Sequence, residues 1–195
     1  MLQTKVKLII WLFCLLLLSG CSFFTVEPTI PYSKTATLPL YKLEQWSLEG
    51  RLSITGRNDS WTANVDWQHS LNKEQIKFSG PLGQGATLIE LGKGVVTIDR
   101  GDGKAQTSNQ PEAFINQQLG LFVPVHSLRY WVIGLPEPTM DFVETPTGFK
   151  QAGWLIEYKQ MQAVKTNTMP YKLNVTNEQV KLKFCLLYTS PSPRD

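Results

Sequence analysis

The chain has 195 residues, enough for one domain or two small ones, and its 42% hydrophobic against 18% charged residues exclude wholesale disorder. The net charge of +3 includes Lys5 and Lys7, so a chain cut before Cys21 keeps only +1, which excludes a strongly basic nucleic-acid surface. Two histidines and three cysteines leave little material for a metal site.

Lys5 and Lys7 precede an unbroken apolar run from Leu8 to Leu18. Crossing ~30 Å of hydrocarbon as a helix takes ~20 residues, so this run is too short to span and fits the h-region of a signal peptide. It closes on Leu18-Ser19-Gly20-Cys21, which resembles the lipobox of bacterial lipoproteins. That resemblance implies cleavage after residue 20 and acylation of Cys21, and Ser22 where other lipoproteins carry Asp resembles an outer-membrane address. Cys14 is then excised and Cys185 has no partner, so the fold stands on its own core. Residues 21–41 carry Pro28, Pro31 and Pro39 without a 3.6-residue period. They read as a flexible tether reaching roughly 25 Å.

The body, residues 42–184, alternates. Gln45 to Arg57 places Trp46, Leu48, Leu52 and Ile54 on one face against Ser47, Glu49, Arg51, Ser53 and Thr55. This predicts a half-buried strand in which Gly50 marks a bend or bulge. After the turn residues Asn58-Asp59, Ser60 to Trp67 repeats the pattern with Trp61, Ala63, Val65 and Trp67. Further strands follow at Gln75–Ser79, Thr87–Leu91 and Val95–Asp99, with a short piece around Lys104–Thr107. The period then changes. Pro111 opens a helix with Asn109 before it and Gly120 after it, and Ile115 and Leu119 sit four apart. Beyond Pro124 a second helix starts at His126 or Ser127, aligns Leu128, Trp131, Val132 and Leu135, and stops at Gly134 and Pro136. Strands resume with Trp154, Ile156 and Tyr158, then Leu173 and Val175, and after Asn177-Glu178 return through Val180, Leu182 and Phe184. Residues 185–195 fit no strand or helix in this reading and resemble a non-native tail.

About nine to eleven antiparallel strands with one apolar face must curl, and two or three short helices with one apolar stripe each need a place to bury it. The economical answer is a mainly β fold: an unclosed antiparallel barrel with the helices over its concave apolar face. The helical insert and the acidic loops argue against a membrane-spanning barrel.

No metal-ligand spacing, serine-nucleophile motif or phosphate loop is present, and the carboxylates are scattered singly, so neither an enzyme nor a cofactor is expected. His69 and His126 read as surface or capping residues. In Gly80-Pro81-Leu82-Gly83, Pro81 and Gly83 suit positions i+1 and i+3 of a type I turn, which leaves Leu82 at a loop tip. That side chain either folds back onto the core or is held out to touch a membrane or partner.

Together, the Leu18–Cys21 box, Trp46-Ser47-Leu48-Glu49-Gly50-Arg51-Leu52, the Gly80–Gly83 loop and above all Ser127-Leu128-Arg129-Tyr130-Trp131-Val132-Ile133-Gly134-Leu135-Pro136 resemble the LolB family. Met169-Pro170-Tyr171-Lys172-Leu173 and Val180-Lys181-Leu182-Lys183-Phe184 resemble its closing hairpin. The resemblance implies a monomeric outer-membrane lipoprotein facing the periplasm. Such a protein accepts triacylated lipoproteins from the carrier LolA in an apolar cavity and passes them to the inner leaflet of the outer membrane without nucleotide. Candidate cavity residues are Trp46, Leu48, Leu52, Ile54, Trp61, Val65, Trp67, Trp131, Trp154 and Ile156, and Leu82, flanked by Pro81 and Gly83, matches the family's membrane-insertion loop. The other reading is a lipoprotein of the same half-barrel with a different lipid cargo.

Overall fold

The computed structural model describes residues 30–56, 60–80, 83, 85–119 and 123–189. The signal peptide, Cys21, the Asn58-Asp59 turn and the Pro81-Leu82 pair lie outside the described residues.

Eleven strands form one antiparallel sheet. They are β1 (Trp46–Thr55), β2 (Ser60–Ser70), β3 (Lys73–Ser79), β4 (Thr87–Gly92), β5 (Val95–Asp99) and β6 (Gln106–Ser108), followed by β7 (Phe142–Thr145), β8 (Gly148–Gln151), β9 (Trp154–Val164), β10 (Asn167–Thr176) and β11 (Lys181–Thr189). Their spatial order is β6-β5-β4-β3-β2-β1-β11-β10-β9-β8-β7. The first and last strands meet at the centre, and β6 and β7 are the two unpaired edges. Helices α2 (Pro111–Leu119) and α3 (Val125–Trp131) lie in the connection between those edges. A chain leaving one rim and entering the other has to cross the open side of the curl, so topology alone places both helices over the concave face.

The alternation seen in sequence decides which face is buried. Trp46, Leu48, Leu52 and Ile54 of β1 are each 6% exposed or less, and Ala63, Val65 and Trp67 of β2 follow them inward. Gly50 makes no bulge, because β1 runs in continuous register with β2 and β11 through that position. Its reason is close approach: a Cβ there would sit 2.2 Å from the Cys185 carbonyl oxygen of β11. Helix α3 ends as its Gly predicts. Gly134 has φ +98°, its N–H bonds the Trp131 carbonyl at 3.1 Å, and the Leu135 N–H reaches the Tyr130 carbonyl at 3.0 Å.

Three expectations need correction. The tether does not run to Tyr41: Lys34–Thr37 forms a short helix α1, Leu38–Lys42 a 3-10 turn, and Thr37 and Leu40 are fully buried. Proline there restricts the backbone while Leu40 supplies an apolar anchor, so the segment packs as a strap, and Ile30 bridges to Met161 on β9. Second, residues after Phe184 do join a strand. Cys185 to Thr189 continue β11 against β1, with Leu186 buried, because the inward-outward alternation persists through them. Third, α3 begins at Val125, directly after Pro124, so Ser127 is an interior helical residue at 2% exposure rather than a cap. Strands β7 and β8, which the sequence pattern did not reveal, have only four residues each, too few to show a period.

Because a methyl group at Gly50 meets β11 backbone rather than a movable side chain, Gly50→Ala should destabilise the domain by about 1–3 kcal/mol, as overpacking does. Urea unfolding measures this, and an unchanged midpoint would show that β1 and β11 can separate freely.

Candidate functional site

Beneath the helices the concave face encloses a gap of about 40 Å³. Leu52 and Ile54 of β1, Trp61, Val65 and Trp67 of β2, Ile76 and Phe78 of β3, and Ile89 of β4 form its floor. Leu182 and Phe184 of β11 close one side, while Ile115 of α2, Val123, and Val125 and Leu128 of α3 form the roof. All of these side chains are apolar. The gap exceeds the ~10–15 Å³ that one water occupies but leaves no room for a long hydrocarbon chain, so the barrel is shut.

The ten sequence-predicted cavity residues divide here. Leu52, Ile54, Trp61, Val65 and Trp67 line the gap. Trp46, Leu48, Trp131 and Ile156 belong to the core cluster but not to its lining, and Trp154 faces an outer groove. Trp46 packs its ring 5.4 Å from Trp67 and 5.2 Å from His69. At the opposite end of the barrel, the Gly83 N–H bonds the Gly80 carbonyl at 2.8 Å, the closing bond of a four-residue turn, while Pro81 and Leu82 within it lie outside the described residues.

The two roof helices are held differently. The end of α3 is pinned by polar side chains of the sheet. The Trp131 indole donates to Gln151 at 2.8 Å, the Tyr158 hydroxyl donates to the Trp131 carbonyl at 2.9 Å, and the Tyr188 hydroxyl donates to the Val132 carbonyl. Burial raises both tyrosine pKa values well above the ordinary range, so the hydroxyls stay protonated donors. The strap adds a bond from Tyr41 to the Pro136 carbonyl at 2.8 Å. Helix α2 makes no such attachment among the described residues. Asn116 accepts from the Val123 N–H just before α3 and Glu112 from the His126 N–H within it, and the contacts with the sheet among the described residues, such as those of Ile115, are apolar.

A charged inward position breaks the apolar rule. Glu74 of β3 is 7% exposed and accepts from Arg129 of α3 at 2.8 Å and from the Trp67 indole at 3.1 Å, with His69 at 3.4 Å. Arg129 also contacts His126 at 3.1 Å. The sequence reading began this strand at Gln75 and so missed it. Extending the Phe78-Ile76 period by one step would have placed a carboxylate inside. Glu74 and Arg129 line an open groove of about 950 Å³ that shares Val125 with the inner gap.

Burial alone would raise the Glu74 pKa, but the hydrogen bonds from His69 and Arg129 outweigh it and hold the carboxyl below its ordinary value. A depressed folded-state pKa contributes stability that is present above the unfolded value of ~4.3 and is lost as pH falls through the folded one. Wild type and Glu74→Gln should therefore differ in urea midpoint at pH 6 and converge as pH drops below about 4. A difference independent of pH would remove this linkage.

The sequence profile of the family described as outer membrane lipoprotein LolB matches residues 44–187. A protein of Chromohalobacter salexigens named outer-membrane lipoprotein LolB is 36% identical over 148 residues, covering 73% of this chain and 69% of its own length. Relatives of the same name from Marinomonas sp. and Halorhodospira halophila are 31% and 29% identical over 178 and 188 residues. These alignments cover 87% and 92% of this chain and 90% and 93% of the relatives. The shut half-barrel with its apolar roof is thus the fold of an outer-membrane lipoprotein, and the chain belongs to the LolB family.

Proposed function

We propose that this protein accepts triacylated lipoproteins from a periplasmic carrier of the LolA kind, shelters their acyl chains under its helices, and releases them into the inner leaflet of the outer membrane. The observation that carries this reading is the all-apolar gap between a curved sheet and a helical roof. Each exposed methylene costs ~0.8 kcal/mol in water, so acyl chains must pass from cavity to cavity without being solvated. Direction needs no nucleotide, since each ~1.4 kcal/mol of affinity difference shifts the equilibrium tenfold.

A gap of about 40 Å³ has to widen to admit cargo. Helix α2 is the piece to move, because its hold on the sheet is apolar and an incoming acyl chain replaces that contact in kind. Helix α3 stays, fixed by Trp131, Tyr158 and Tyr188. Cys21 carries the lipid anchor in this reading. Eight residues separate it from Ile30, so the anchor lies at most about 30 Å from the strap.

Leu52 lines the gap at 4% exposure. An unpaired carboxylate there costs several kcal/mol or takes up a proton, so Leu52→Glu should abolish acceptance of cargo from the carrier. Circular dichroism has to show the fold retained, and a folded variant with normal acceptance would remove Leu52 from the cavity.

Leu82 is proposed to enter the bilayer at release. Burying a leucine is worth about 1.5–3 kcal/mol, which is ten- to a hundredfold in an equilibrium, enough to bias a transfer and too little to anchor a protein. Leu82→Glu should leave folding and acceptance intact and impair delivery into liposomes, whereas Leu82→Phe should be tolerated. Normal delivery by the Glu variant would exclude the role, and unfolding would make Leu82 a core residue.

A further inference from the structure

The apolar gap explains where acyl chains go but not what meets the polar end that joins them to protein. On the reading above, on which this inference rests, the cargo begins with a cysteine bearing two ester-linked chains and one amide-linked chain, followed by ordinary peptide. Its ester and amide carbonyls are hydrogen-bond acceptors that arrive together at the mouth of the gap. Left without donors in a dehydrated mouth, each would cost free energy comparable to a lost hydrogen bond.

The structure holds a donor at that place. The groove of about 950 Å³ lies on the other side of Val125, a lining residue it shares with the gap, and its size is in the range of sites that enclose a small ligand. Arg129 lines it. One guanidinium nitrogen is fixed by buried Glu74 at 2.8 Å and a second contacts His126 at 3.1 Å. The third, Nε, is shut off from solvent, so what meets the groove is the part of the guanidinium that stays open, the side chain being 23% exposed and each terminal nitrogen carrying two N–H groups. A guanidinium held by a carboxylate keeps its remaining N–H in a set direction, so little side-chain freedom is lost when an acceptor arrives. Exposed apolar side chains stand at the rim among polar ones: Leu71 is 69% exposed, Met140 44% and Val95 40%, beside Lys73, Lys93 and Glu112. A donor in the wall and apolar side chains at the rim suit a ligand that is itself a string of carbonyls carrying hydrocarbon.

We propose that this groove is a subsite for the polar junction of the cargo, the ester and amide carbonyls and first peptide units at the acylated cysteine, with Arg129 as its donor and Glu74 as the residue that positions Arg129. The inner gap recognises hydrocarbon of any origin; the groove recognises that the hydrocarbon is attached to a cysteinyl peptide.

The test uses the full-length protein in lipid nanodiscs and a triacylated cysteinyl peptide carrying a photoreactive diazirine in one of two places, at an acyl end or on the residue after the cysteine. After irradiation, mass spectrometry locates each label. In wild type the acyl-end label should fall on gap residues such as Leu52 and Phe184, and the junction label on the Leu71, Val95 and Met140 rim. Arg129→Gln should reduce rim labelling at least tenfold while acyl-end labelling persists. Because Arg129→Gln leaves Glu74 a buried unpaired charge, the neutral pair Glu74→Gln with Arg129→Gln serves as the second variant and should show the same selective loss. Rim labelling that survives both variants, a junction label that lands elsewhere, or loss of both labels together would overturn the subsite. An acyl-end label absent from the gap alongside a junction label on the rim would instead overturn the acyl cavity and leave the groove as a peptide site.

Discussion

The rest of the structure depends on one topological constraint: the sheet has two edges that never pair with each other. Strand β6 ends one side and β7 the other, and the connection between them carries α2 and α3. A closed barrel of this size would bury its apolar interior by wrapping it. An open one exposes that face unless something lies across it, and only the edge-to-edge connection is long enough and apolar enough to do so. The buried strand faces, the helical roof and the gap between them are therefore one arrangement. A sheet roofed by helices follows from leaving the barrel open.

The roof is uneven in its attachment, and the difference is chemical. At the α3 end, the Gln151 amide of β8 accepts from the Trp131 indole and the Glu137 N–H, and the Tyr158 and Tyr188 hydroxyls of β9 and β11 donate to the Trp131 and Val132 carbonyls. Breaking those bonds in a dry interior strands donors and acceptors. At the α2 end Ile115 faces Ile89 and Val65 across the gap, and the helix packs against β5. Contacts of this kind are apolar and replaceable by other hydrocarbon, which the polar bonds at the α3 end are not. The strap of residues 30–42 secures the fixed end. Gly134, with φ +98°, lets Thr37 approach, since a Cβ there would sit 3.0 Å from the Thr37 methyl. Tyr32 stacks on Tyr158 at 4.5 Å, beside the hydroxyl that pins α3. The segment nearest the lipid-anchor box thus braces the roof.

Charge follows a similar division. Lys73 and Glu90 pair across β3 and β4 near the surface, where such pairs contribute little. The Glu74–Arg129 pair is different because it joins sheet to roof with the carboxylate buried. Replacing one partner alone leaves an uncompensated charge, whereas an apolar pair could close the same contact as well or better. The pair lines the outer groove beside the apolar gap, so a stabilising role alone does not account for its charge.

Much of this was legible from residue order. The two-residue period in β1, β2 and β9 fixes which side chains turn inward, because a strand has only two faces. Gly134 and Pro136 end α3 as their backbone preferences require, and the Leu18–Cys21 box together with the Ser127–Pro136 segment carries the family resemblance in residue order alone. What the sequence could not determine was everything set by contacts between distant segments. Gly50 is glycine because β11 backbone crosses it, and Thr37 and Leu40 are buried because Gly134 and its surroundings receive them. The strand period alone turns Glu74 inward, but its partner Arg129, 55 residues later, is brought to it only by the fold. The division of the predicted cavity residues into those that face the gap and those that only pack is likewise tertiary. Alternation assigns a side chain to a face, but the curvature of the sheet and the seat of the helices decide which part of that face stays unfilled.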